Sequence, residues 1–200
     1  MSEMFDSAKE YQLTDECVLL RPLLSSDLQY LQVFARNEPE IWKYSTIGVS
    51  NEADLEKYVR LALDGRAQGK EYPFIVFDKR SGRYAGSTRF YDIQSFHRTL
   101  QLGYTWYGKE FQGTGLNKHC KFLLLQFAFE ILGMLRVEFR ADHTNHRSIA
   151  AMKRIGCTEE GVLRKSLQKP DGSRRDSIIL SILSEEWESG VKEKLQQQLT

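Results

Sequence analysis

The sequence predicts an α+β fold, a mostly antiparallel central sheet of about seven strands with one parallel pair, flanked by helices. Three observations predict it. Tyr72 to Tyr107 holds three consecutive strand-like runs joined by short links, the mark of an antiparallel meander. From Leu116 to Ile155 the order is helix, strand, helix, which requires a crossover and hence one parallel pair. Between these blocks, Tyr104 to Lys121 passes from an aromatic strand through a turn holding Gly113 and Gly115 directly into a helix.

The elements follow in order. Cys17 to Leu23 alternates in part between apolar and polar residues and stops at Pro22, as an opening strand does. Ser25, Ser26 and Asp27 offer N-caps to a helix with Leu28, Leu31, Phe34 and Ala35 on one face. A second helix runs from about Asn51 to Gln68, with Leu55, Tyr58, Val59 and Ala62 at helical spacing and Gly69 as its stop. The meander is Tyr72 to Lys79, Tyr84 to Ile93 and Leu100 to Tyr107. Leu116 to Leu132 reads as one long, largely buried helix, Leu135 to Ala141 as a strand, and Asn145 to Ile155 as a short helix ended by Gly156. Gly161 to Leu167 and Ser173 to Leu183 are strands around the turn Pro170-Asp171-Gly172, and Ser184 caps a polar terminal helix that frays. The whole, residues 1–200, is expected to be one domain with its core over about 17–184 and its terminal helix over 185–198.

Composition excludes several classes of function. At 200 residues the chain can bury a core without disulfide or metal staples. With 28 Lys plus Arg against 27 Asp plus Glu, no bulk field draws it to nucleic acid or an anionic membrane, so an anion site must be local. Cys17, Cys120 and Cys157 have no ligand spacing, which suits a reduced cytoplasmic protein without a metal. Met1 to Glu10 lacks the apolar core of a signal peptide, and no run approaches the ~18 apolar residues of a membrane span. His143-x-x-His146 has no carboxylate or third ligand at a telling spacing, and reads as surface histidines.

A strand, a glycine turn and a helix N-terminus in that order make an anion cradle. The first amides of a helix lack internal partners, the helix dipole turns its positive end toward them, and glycine allows the backbone to approach a phosphate. A dinucleotide-binding loop would need a third small residue where Lys118 stands, and a P-loop would need Gly-Lys-Ser/Thr, which is absent.

Gln112-Gly-Thr-Gly115 before a helix, a strand, Asn145-x-x-Ser148, Ile155-Gly156 and Glu159-Glu160-Gly161 together resemble the GNAT superfamily of acyl-CoA-dependent N-acyltransferases. The likeness is to the RimJ/RimL-like branch of ribosomal-protein alanine N-acetyltransferases, and it is densest from Leu102 to Arg164. The resemblance implies acetyl-CoA as co-substrate and a primary amine, a protein N-terminus or a small molecule, as acceptor. It implies that the amides from Gln112 through Gly113, Thr114, Gly115 and Leu116 to Asn117 hold the coenzyme pyrophosphate. Lys118, Lys121 and Arg154 are either outlying phosphate contacts or solvated charges. The strand Gly103 to Trp106, through Tyr104 and Thr105, would splay from Val137 to Arg140 and take the pantetheine arm as an added strand. Asn145 is an N-cap, a pantetheine ligand or both, and Ser148 is the group nearest the coenzyme sulfur and the catalytic candidate.

Two departures from the family matter. Met152 stands where many GNAT enzymes place a tyrosine acid, and Leu167 stands where RimL-type enzymes place a glutamate base. Glu138, Asp92, Glu110 or a water chain remain as bases. Deprotonating a lysine amine at pH 7 costs about 4.6 kcal/mol against about 1 kcal/mol for an α-amine, so a weak base favours the α-amine. Acceptor contacts are placed at Trp42 and Tyr44 between the first two helices, at Arg89 and Tyr91 and on the Gln168 to Arg175 hairpin; Arg89 is a carboxylate clamp or a solvated sheet-edge arginine, and Trp42 a substrate stacker or a core residue. Two other readings stay open, a non-catalytic acyl-CoA-binding module and an antibiotic or polyamine N-acetyltransferase, and a homodimer is compatible with each.

Overall fold

The computed structural model describes residues 5–199. Strands β1 (Leu13–Thr14) and β2 (Val18–Pro22) lead to helix α1 (Leu28–Asn37), a 3-10 turn (Pro39–Trp42) and helix α2 (Glu52–Ala67). The meander follows as β3 (Glu71–Asp78), β4 (Arg83–Gln94) and β5 (Thr99–Tyr107), and α3 (Leu116–Gln126) leaves the end of β5. After β6 (Arg136–Asp142) and α4 (His146–Arg154) come β7 (Thr158–Gln168), β8 (Arg174–Leu183) and the short helices α5 (Ser184–Glu186) and α6 (Lys192–Gln196).

The strands form one eight-stranded sheet in the order β1-β2-β3-β4-β5-β6-β8-β7, antiparallel except for β5 and β6. The strand beyond the expected seven is β1, two residues held by Leu13 opposite Leu20 and Thr14 opposite Leu19. A run that short has no periodicity to read. Thr88 of β4 faces Lys121 of α3 and Phe90 stacks on Phe127, just past the end of α3, with centroids 6.3 Å apart, while Arg89 faces α2 and lies over Tyr58. Both faces of β4 are therefore covered, which explains its nearly continuous burial.

The parallel pair is short. Thr99, Leu100 and Gln101 pair with Arg136, Val137 and Glu138, and the ladder then ends. Val137 and Glu138 are thus still paired, and the opening between β5 and β6 starts beyond them rather than at Val137. A bulge accompanies it: between the pairs Ser87/Trp106 and Arg89/Gly103 one residue of β4 faces two of β5, with Tyr104 at φ 49°. A bulge bends its strand and interrupts pairing, so it drives the two strands apart.

Two helix expectations change. The run from Leu116 is α-helical only to Gln126 and continues as a π-turn over Phe127–Ile131, with Leu132 N–H donating to Phe127 O at 3.0 Å. The terminal segment is not frayed. Trp187 is fully buried against Phe122 and Phe129, its indole donates to Glu130 at 2.9 Å, and Lys192 pairs with the same carboxylate. A kink at Gly190 (φ 155°) turns the chain so that Leu195 is buried too. No helix among the described residues is long and apolar enough to cross a membrane.

Candidate functional site

The site lies where β5 parts from β6. The turn after β5 is built on Gly113 (φ 82°) and Gly115 (φ 88°), both left-handed, and a Cβ at either would meet nothing within 4 Å. Glycine is there for backbone conformation, and the face above it is open. Side chains hold the loop from below. Arg80 donates to Thr114 O at 3.1 Å, Thr114 Oγ1 to Phe111 O at 2.8 Å, and Tyr107 OH to Asn117 Oδ1 at 3.2 Å. Gln112 Nε2 donates to Tyr107 O at 2.7 Å, and Gln112 Oε1 accepts from Arg147 of α4 at 2.7 Å.

The backbone amides divide into two sets. Gln112 N–H donates to Lys109 O, Lys118 N–H to Gly115 O, and Leu116 N–H lies 3.5 Å from Thr114 Oγ1. Those of Gly113, Thr114, Gly115 and Asn117 have no hydrogen-bond partner among the described residues. Four unpartnered donors thus lie together at the start of an 11-residue helix, an arrangement able to receive a phosphate. Gln112 and Leu116 frame that set rather than belonging to it, and the Lys118 side chain is half-exposed beside it.

Along β5, the Trp106 carbonyl is turned toward Gly86 of β4, and Gly108 N–H donates to Ala85 O at 2.9 Å. Backbone groups alternate along a strand, so those of Thr105 and Tyr107 face the opening, and Gln112 already takes the Tyr107 carbonyl. Tyr104, at the bulge, has its carbonyl bound by Tyr58 OH at 3.3 Å. The indole of Trp106 is buried, 4.8 Å from that of Trp42, and neither indole N–H has a partner among the described residues. An open cavity of about 410 Å³ adjoins Trp42, lined also by Lys43, Gly48, Asp54 and Pro170.

Across the opening, Asn145 caps α4 by accepting from Ser148 N–H at 3.1 Å, and its Nδ2 has no partner among the described residues. Ser148 is half-buried, and its hydroxyl has no partner among the described residues. Met152 is buried. The carboxylates considered as bases are all engaged. Glu138 is held by Arg136 at 2.8 Å and Arg140 at 2.7 Å, Asp92 by Gln94 and Gln101 at 2.8 Å each, and Glu110 pairs with Arg83. A nearby carboxylate that sequence did not single out, Asp142, is buried. Burial opposes its ionisation, but hydrogen bonds from Thr144 and the Lys169 ammonium outweigh this and pull it down to about 2, too weak for a base.

Two cations sit differently from expectation. Arg89 is neither solvated nor at an edge: it is 1% exposed in a central strand, pairs with Glu71 at 2.6 Å and is sandwiched between the rings of Tyr58 and Tyr104 at 4.8 and 4.2 Å. Tyr91 packs edge-on to Tyr104, centroids 5.0 Å apart, and burial raises its phenol well above the ordinary value. Lys121 is buried inside α3 and donates to Thr105 Oγ1 at 2.8 Å, so it is no surface phosphate contact. Nothing in the sequence marks Arg80 or Arg147 for the site, because each arrives from another element, whereas Arg175 ends the Gln168 to Arg175 hairpin expected on the acceptor side.

Residues 18–158 match the family profile described as the Acetyltransferase (GNAT) domain. This chain belongs to the GNAT acetyltransferase family. Among GNAT relatives it is similar to YdaF of Bacillus subtilis (strain 168), whose name carries a provisional assignment as a ribosomal N-acetyltransferase, with 35% identity over 107 residues. That match covers 54% of this chain and 57% of YdaF, so it spans little more than half of the relative. A crystal structure from T. thermophilus, named provisionally as an acetyltransferase, superposes with a TM-score of 0.85 at 31% identity, over 94% of this chain and 97% of that one. Mycobacterium smegmatis RimJ, solved with CoA-disulfide, shares the GNAT fold at a TM-score of 0.74 and 20% identity, over 94% and 93% of the two chains.

Proposed function

We propose that this chain transfers the acetyl group of acetyl-CoA to a primary amine, with a peptide or ribosomal-protein N-terminus as the favoured acceptor. The observation that carries the proposal is the set of four unpartnered amides at Gly113, Thr114, Gly115 and Asn117, set beside the opening of β5 from β6. In this reading these amides hold the pyrophosphate, with Lys118 as an outer charge. Tyr104, Thr105 and Trp106 line the pantetheine arm, Thr105 offering the backbone groups and Asn145 its free Nδ2.

The acceptor nitrogen then attacks the thioester carbonyl carbon. A C–N bond forms, the oxyanion gathers beside the Thr105 backbone, and the C–S bond breaks to release the thiolate. The amine proton leaves through water, since every candidate carboxylate is engaged, and the Ser148 hydroxyl hydrogen-bonds the departing sulfur. A thiol of pKa near ~8.5 needs little more help than that, which accommodates Met152. A weak base also matches an α-amine, which is about 3.6 kcal/mol cheaper to deprotonate at pH 7 than a lysine. YdaF supports the same acceptor class through its ribosomal assignment. Trp42, Tyr91 and Arg89 form the acceptor side, with Trp42 and Arg89 acting from within the core.

Thiol release from acetyl-CoA, followed by mass spectrometry of a peptide and small-amine library, tests the proposal. Acetylated N-termini are the expected product. Ser148→Ala should lower kcat about tenfold, the worth of one hydrogen bond, while KM for acetyl-CoA stays within about twofold. Unchanged kcat would remove Ser148 from the mechanism. Met152 and the occupied carboxylates favour a second reading, a non-catalytic acyl-CoA binder. That protein would gain thermal stability with acetyl-CoA and form no product.

A further inference from the structure

The buried polar atoms without partners collect around the opening. Among the described residues, five such donors belong to four side chains there: Nε1 of Trp42, Nε1 of Trp106, Nε and Nη2 of Arg89, and Nε of Arg175. Leaving a buried donor without an acceptor is costly, so a cluster of them has a function or a missing partner.

Charge balance singles out one member. Around the cleft Arg89 pairs with Glu71 at 2.6 Å, Arg140 with Glu138 at 2.7 Å and Lys169 with Asp142 at 3.0 Å. Arg175 is 7% exposed and has no carboxylate within ion-pair distance among the described residues. Its one hydrogen bond, from Nη1 to Tyr44 O, is 3.5 Å long. Burial lowers its basicity, Asp142, Tyr91 and Tyr104 oppose that, and Arg140 adds to it. The bond to Tyr44 O places the guanidinium beneath the loop that carries Tyr44, two residues along β8 from Ser177, which pairs with Asp142 at the end of β6. That loop is closed against the β7–β8 hairpin, where Pro170 lies 3.3 Å from the Cβ position of Gly48.

We propose that Arg175 binds a carboxylate of the acceptor, so that this site selects amines carrying one negative charge close to the reacting nitrogen. One unbalanced cation calls for one anion. A phosphate dianion would overcompensate it and meet Asp142, whereas a carboxylate accepts from the vacant Nε edge of a guanidinium. The carboxylate has two sources, the α-carboxylate of a free amino acid or an acidic side chain near a peptide N-terminus. This inference rests on the acetyl-transfer reading for its choice of ligand, and its test includes a readout that needs no turnover.

The enzyme, saturated with coenzyme A, is titrated by calorimetry with N-terminal peptides identical except for Asp or Asn at the second position, and with free amino acids against their amides. The acid of at least one pair should bind at least tenfold more tightly, the winning pair identifying the source. Arg175→Gln should erase the difference, Arg175→Lys should keep part of it, and both should retain wild-type affinity for acetyl-CoA as evidence of an intact fold. Equal binding of acids and amides, or a preference that survives Arg175→Gln, overturns the assignment. Preference in binding without acetylated product leaves Arg175 as an anion site and removes the transfer reading instead.

Discussion

Replacing Gly115 by Val is expected to abolish measurable coenzyme A binding, a loss of at least a hundredfold in Kd by calorimetry. Two effects act together. Gly115 sits at φ 88°, ψ −19°, where a β-branched residue is strained, so the loop must relax toward negative φ and turn its amides away. The added side chain also points into space that no protein atom occupies within 4 Å, the space a diphosphate would fill. The damage to stability should be small by comparison, because the loop is outside the core and remains tied by Arg80, Gln112 and Arg147. A fall of a few degrees in Tm with lost binding is the expected pair of results. Binding at wild-type affinity would mean that the four free amides serve no anion. Gly113→Val should behave similarly, since its φ and its open surroundings are alike.

Much of this arrangement is legible before folding, because it depends on local sequence. The three-strand meander, the glycine turn, the cap at Asn145 and the helix spacing of α1 and α2 all follow from contacts within a few residues. Side chains whose role depends on distant partners are not legible in this way. Lys121 looks like any helix cation until β4 and β5 bring Thr88 and Thr105 over it. Arg89 looks like an edge residue until α2 covers it with Tyr58. Arg175 is one of two adjacent arginines after a turn, and only the strand pleat decides that Arg174 is exposed and Arg175 buried. The opening of β5 from β6 has a local trace in Tyr104, yet positive φ at a tyrosine cannot be read from composition. The side chains that the sequence leaves illegible in this fold are therefore those for which burial and charge conflict, and that conflict is a tertiary property.

Lys121 supplies the clearest case, and Lys121→Met should raise stability at pH 7. The ammonium is buried, donates to Thr105 Oγ1 at 2.8 Å and lies 5.9 Å from the Phe139 ring, with no carboxylate in ion-pair distance among the described residues. Burial lowers its pKa from the ordinary 10.5 to about 8, against a smaller opposing influence of the Cys120 and Cys157 thiols. Between these values the unfolded chain holds a proton that the folded chain has released. Folding stability due to this group therefore rises with pH from about 8 to 10.5. The penalty is complete below pH 8 and is on the order of 3 kcal/mol. Burial also raises the Cys120 and Cys157 thiols, and these act in the opposite direction, since above pH 9 only the unfolded chain ionises them. The wild-type profile alone would mix the two. The difference in urea-unfolding free energy between wild type and Lys121→Met isolates the amine. It should favour the methionine variant by about 1 to 3 kcal/mol at pH 7, on the order expected for removing a buried unpaired charge, and shrink toward zero by pH 10.5. A difference that stays constant with pH would show that Lys121 keeps its ordinary pKa in the folded chain, because water reaches it.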